Sequence, residues 1–103
     1  MTTVAAVLLH EDHIEEIELD IHPRKNEIFR LLGGRATFVG QWPDAEVVIM
    51  KRAVAEGERL NENSLPFPFH GEEILGKILL VRMDKDAEPR DFTMSEWARM
   101  RSP

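Results

Sequence analysis

The chain has 103 residues, 43% of them hydrophobic and 31% charged, with no Cys. That leaves room for one modest core in a single domain over 1–103, and none for a disulfide framework, a thiol nucleophile or a Cys-ligated metal. The formal net charge of −6 lies in residues 1–22, which hold Glu11, Asp12, Glu15, Glu16, Glu18 and Asp20 without a Lys or Arg, while the remainder balances 13 acids against 13 bases. A field of that sign repels phosphate backbones and anionic lipid, which disfavours nucleic acid and membrane surfaces as partners.

The apolar run over residues 4–9 has no basic residue ahead of it and stops at His10-Glu11-Asp12. It is too short for a secretory leader or a membrane span, and with the absence of Cys it implies an intracellular setting. Residues 3–9 are therefore predicted as a strand. Ile17-Glu18-Leu19-Asp20-Ile21 alternates with the period of a half-buried strand, so 14–21 is predicted to close a hairpin. Ile14 is out of phase with Ile17, which predicts a bulge at Glu15-Glu16, and Glu16, Glu18 and Asp20 then line the outward face. His22-Pro23 opens a short helix over 23–32 that places Ile28, Leu31 and Leu32 on one face, and Gly33-Gly34 supplies a left-handed stop.

Residues 35–42 and 45–52 are rich in β-branched and aromatic side chains and flank Pro43-Asp44, the pattern of a second hairpin. Val47-Val48-Ile49-Met50 is apolar on both faces, which makes it a central strand. Residues 53–73 form the longest loop-like tract: 53–59 has the composition of a helical turn or two, and Leu65-Pro66-Phe67-Pro68-Phe69 cannot continue it. A fifth strand is predicted over 76–83, ended by the polar run 84–89. Thr93 followed by Glu96 matches a capping box for a helix over 94–101 that sets Met94 and Trp97 on the sheet. The expected architecture is α+β: a single domain of about five mostly antiparallel strands with two short helices on one face.

Candidate chemistry is sparse. His10-Glu11-Asp12-His13 holds four potential metal ligands in one turn, but adjacent positions diverge and the solvated turn is the simpler reading. Asp84, Asp86 and Glu88 occupy the first, third and fifth places of a calcium loop that has Pro89 where Gly is needed and Ser95 where the bidentate Glu belongs. Gly33, Gly34 and Gly71 lack the spacing of a phosphate loop, and Ser64 and Ser95 lack the setting of a strained nucleophile. No catalytic residue, metal site or cofactor follows from the sequence. The residues placed to bind something flank the 60–70 tract: Trp42, Phe67 and Phe69 as aromatic contacts, Asn61 and Asn63 as amide donors and acceptors, Arg82 and Asp84 as charged groups. The expectation is a non-enzymatic binding or adaptor module with a protein partner. The alternative is a small-molecule or nucleotide-binding domain with a polar pocket at the 60–70 loop. Self-association into a homodimer is expected through strand edges or the Pro66-Phe67-Pro68-Phe69 segment.

Three stretches together carry a resemblance: Leu31-Leu32-Gly33-Gly34 with the strand through Phe38-Val39-Gly40, then Leu60-Asn61-Glu62-Asn63, then Gly76-Lys77-Ile78-Leu79-Leu80-Val81 followed by Asp91-Phe92-Thr93. Their order resembles an uncharacterised small domain family of phages and bacteria. Val39-Gly40-Gln41-Trp42 with Val47-Val48-Ile49-Met50, and Leu65-Pro66 with Val81-Arg82-Met83-Asp84, look closer to relatives in algae and large DNA viruses. The resemblance covers most of residues 3–100. It implies an α+β domain and an algal or viral setting, and brings no activity or catalytic residue with it.

Overall fold

A computed structural model describes residues 3–54 and 56–101. Seven apolar or small residues in a row set the first strand, β1 (Thr3–Leu9), and it pairs antiparallel with β2 (Ile14–Asp20) in an unbroken register from Thr3↔Asp20 to Leu9↔Ile14. The expected bulge at Glu15-Glu16 is absent. Ile14 is out of phase with Ile17 because the two side chains serve opposite faces of the sheet, each packing on a different core cluster. The expected helix over 23–32 is divided: a 3-10 turn, Pro23–Lys25, stops at Asn26 in the left-handed region, and the α-helix α1 (Glu27–Leu32) follows.

The second hairpin consists of β3 (Ala36–Trp42) and β4 (Val47–Arg52), with a register shift between Phe38 and Gly40 that makes Val39 the extra residue. The bulge belongs here, beside a glycine, and not in the first hairpin. Strand β5 (Ile78–Met83) then inserts between the hairpins, pairing antiparallel with β1 on one side and β4 on the other. A two-residue strand β6 (Pro89–Arg90) folds back on the end of β5, a pairing hidden in a run read as polar linker. The helix α2 (Met94–Arg101) closes the chain, and the sheet order is β2-β1-β5-β4-β3.

The two helices lie on opposite faces, which corrects the expectation that they share one. Val7, Leu9, Val47, Ile49, Ile78 and Leu80 pack with Trp97 of α2, Phe92, Leu65 and Ile74 on one side. Ala6, Leu8, Leu19, Val48, Leu79 and Val81 pack with Leu32, Ile28 and Leu31 of α1 on the other. The physical reason is visible in the central strands: alternate residues of β4 and β5 are apolar on both faces, and each face needs cover. The α2 face receives it from a helix, Phe92 and the 60–75 loop. The α1 face receives a helix of only six residues. The described part of 53–59 forms a bend and a turn and no helix; Ala55 lies outside the described residues.

Candidate functional site

The 60–70 loop is fastened at its start by two amides. Asn61, 8% exposed, donates through Nδ2 to Leu9 O at 3.0 Å and Gly76 O at 2.8 Å, and its Oδ1 accepts from the Asn63 backbone N–H and from Asn63 Nδ2. Asn63 Nδ2 also donates to His10 O at 2.8 Å. Both hydrogens and both lone pairs of the Asn61 amide are thereby engaged, tying the loop to the end of β1 and the approach to β5.

Arg82 and Asp84 sit at the other end of β5 and are likewise bonded within the fold. Arg82 donates from Nε to Ala45 O, and from one terminal nitrogen to Asp91 O and to Glu96 Oε2 at 2.6 Å, with its guanidinium over the Phe92 ring. Asp84 accepts from the backbone N–H groups of Asp86 and Glu88 and from Arg90 Nε, building the turn between β5 and β6. The Glu88 backbone N–H, against partial desolvation and with help from Arg90, holds the Asp84 carboxyl below the ordinary carboxylate range.

The aromatic members do meet. Trp42 donates from its indole N–H to Phe67 O at 3.0 Å and takes the edge of Phe69 with ring centroids 5.5 Å apart. Phe69 lies over Gly40, where any Cβ would collide with its ring. Phe67 is 78% exposed and stacks on His70. The structure thus joins Trp42, Phe67 and Phe69 into one cluster and Asn61 with Asn63 into another, the latter at the opposite end of the sheet from Arg82 and Asp84. An open cleft of about 380 Å³ lies between Trp42, Pro43, Pro66, Phe67 and Met100, and its walls include none of the four polar residues.

A second concavity was not anticipated from sequence. A groove of about 280 Å³ runs between α1 and the sheet, lined by Leu19, Ile21, Ile28, Phe29, Met50, Val81 and Met83, with Asp20, His22, Asn26 and Glu27 contributing its polar wall. Met50, Val81 and Met83 read as ordinary core in the sequence. The helix predicted over 23–32 concealed it: the α-helix that forms has six residues, is only about 9 Å long and cannot roof a five-stranded sheet. Phe29 falls off the apolar stripe of that helix and is half exposed.

In the β1–β2 turn the rings of His10 and His13 stack with centroids 4.1 Å apart, and each pairs with a carboxylate, His10 with Glu15 and His13 with Asp12. The hydrogen bond from His13 holds the Asp12 carboxyl below its ordinary value. Among the described residues no cluster of three His, Asp or Glu side chains is placed to hold a metal ion, and no helix is long and apolar enough to cross a membrane.

An antiparallel sheet with one helix on each face, with Arg82, Asp84, Asn61 and Asn63 bonded within the fold, makes this a small α+β domain whose groove beside α1 is lined mainly by apolar side chains. The chain belongs to the family of unknown function DUF5880, which it matches over residues 6–100. No curated protein and no solved structure matches it.

Proposed function

We propose that the chain is a small, intracellular, non-enzymatic binding or adaptor module that receives apolar side chains of a protein partner in the groove beside α1. The observation that carries this reading is the groove itself: two methionines and the half-exposed Phe29 line an open apolar surface on a face that the helix leaves uncovered. Thioether and aromatic side chains adapt their rotamers to an incoming segment at small cost. The small-molecule alternative draws less support, because Asn61, Asn63, Arg82 and Asp84 are bonded within the fold and do not share a pocket. The absence of Cys supports the intracellular setting, and the resemblance of the Val39–Trp42 and Val81–Asp84 runs supports an algal or viral one.

The test is selection of a random-peptide phage library against the immobilised chain. Enriched peptides should carry two or more large apolar residues, shift the amide resonances of residues 19–29 and 81–83, and lose at least roughly tenfold in affinity on Phe29→Asp. Peptides that map to the Trp42–Phe67 cleft, or ATP-induced shifts at Asn61 and Arg82 without any peptide enrichment, would overturn it.

A further inference from the structure

We infer that β3 is a homodimerisation edge, pairing antiparallel with β3 of a second copy about a two-fold axis between Val39 and Gly40. The sheet has two free edges, and they differ in charge. Edge strand β2 carries Glu15, Glu16, Glu18 and Asp20, which repel a like strand, whereas β3 carries no charged residue. None of the hydrogen bonds among the described residues reaches the outer backbone of β3. A charge-free, unpaired edge is the arrangement that recruits another strand.

The ends of β3 say which strand fits. Arg35 precedes it and Asp44 follows the last residue by two, both exposed and neither in an ion pair among the described residues. Antiparallel pairing of two copies sets Arg35 of each against Asp44 of the other. That register also places Phe38 opposite Gln41 and Thr37 opposite Trp42. Within its own sheet Phe38 is opposite Met50 and Gln41 opposite Val48, both on the α1 face; Thr37 is opposite Lys51 and Trp42 opposite Val47, on the α2 face. Directly opposed residues of an antiparallel pair must share a face, and this register satisfies that at both positions.

Shape agrees with charge. Phe38 is 68% exposed, and next to it an open hollow of about 360 Å³ is lined by Phe38, Gly40, Gln41 and Val48. The register brings the second copy's Phe38 to Gln41, at this hollow, so each copy supplies one knob and one hole. The Val39 bulge, a misfit for a regular foreign strand, falls at the axis and meets its own symmetry mate. One strand edge with two rings is small beside the about 1,600 Å² of a stable interface, so the dimer forms and dissociates with concentration.

The pairing uses the sheet edge and stands independently of what occupies the α1 groove. Sedimentation velocity over a concentration series is the experiment. The wild-type chain should self-associate, less so in high salt, and hydrogen exchange at residues 36–41 should slow as concentration rises. Phe38→Glu, at an exposed position, should keep the far-UV spectrum and weaken association at least roughly tenfold. Arg35→Asp should weaken it too, and adding Asp44→Arg in the same chain should restore it, while the groove variant Phe29→Asp should leave it unchanged. A chain that stays monomeric throughout overturns the inference. So does a dimer that survives Phe38→Glu, or one that is dissolved by Phe67→Ser or Phe29→Asp while β3 exchanges freely.

Discussion

At Gly40 a missing methyl group decides where a loop lies, because the Phe69 ring occupies the space a Cβ would fill. Gly40→Ala is expected to displace Phe69 from its contact with Trp42 and cost about 1–3 kcal/mol, the usual range for overpacking, read by chemical denaturation. Gly33 is constrained in its backbone: it ends α1 at φ 77°, donating to Phe29 O, whereas its neighbour Gly34 is not in the left-handed region. Gly33→Val should therefore lose about 1–2 kcal/mol or more, and unchanged thermal stability would contradict this. Glu96 provides a pH signature. Burial pushes its carboxyl up, but Arg82 and the Thr93 backbone N–H outweigh burial and hold it below its ordinary value. A group with a lowered folded-state pKa stabilises above its unfolded value and loses that contribution as pH falls through the folded one. Thermal melts should thus fall in acid below the ordinary glutamate range, with a shallower decline in Glu96→Gln. An unchanged slope in that variant would assign the acid sensitivity elsewhere, to carboxylates such as Asp84 and Asp12 that are shifted the same way.

Among the elements, α2 was the most legible. The Glu96 N–H donates to Thr93 Oγ1 at 3.3 Å and the Thr93 N–H to Glu96 Oε1 at 3.2 Å, the reciprocal pair that the Thr-x-x-Glu spacing announces. Thr93→Ala should cost about 1 kcal/mol by denaturation, and no measurable loss would mean that Glu16, which accepts from the Met94 N–H at 2.7 Å, holds the helix start alone. The five main strands were readable because alternation and β-branching are local properties. The two-sided apolar pattern of residues 47–50 and 78–81 also carried the news that both faces need cover, although the helices were expected on one. Strand β6 was hidden, since it exists through the turn organised by Asp84 with Ala87 at φ 61°, and an acidic run does not disclose which carboxylate turns inward. The site was partly legible for the same reason. Trp42, Phe67 and Phe69 came together, through the Trp42 indole bond to Phe67 O and the Trp42–Phe69 ring contact. An amide such as Asn61 can face a ligand or a backbone carbonyl, and only the fold says which.

For the molecule as a whole, the order β2-β1-β5-β4-β3 means that two hairpins made early in the sequence are joined in the hydrogen-bond ladder through a strand made late. Val7, Leu8 and Leu9 of one hairpin and Val47 to Lys51 of the other have no ladder partner on their inner sides until residues 78–82 arrive. A chain ending at residue 75 should accordingly lack a cooperative melt and slow-exchanging amides in β1 and β4, and native-like protection there would show that each hairpin holds by itself. The same topology has a meaning during synthesis. While β5 is still inside the ribosome, the emerged part of the chain presents two apolar strand edges of similar length facing each other across an empty slot, and their pairing with one another or with a neighbouring nascent chain competes with the native order. The fifth strand therefore acts as a keystone, and the interval before it leaves the exit tunnel is when this protein is most exposed to misassembly.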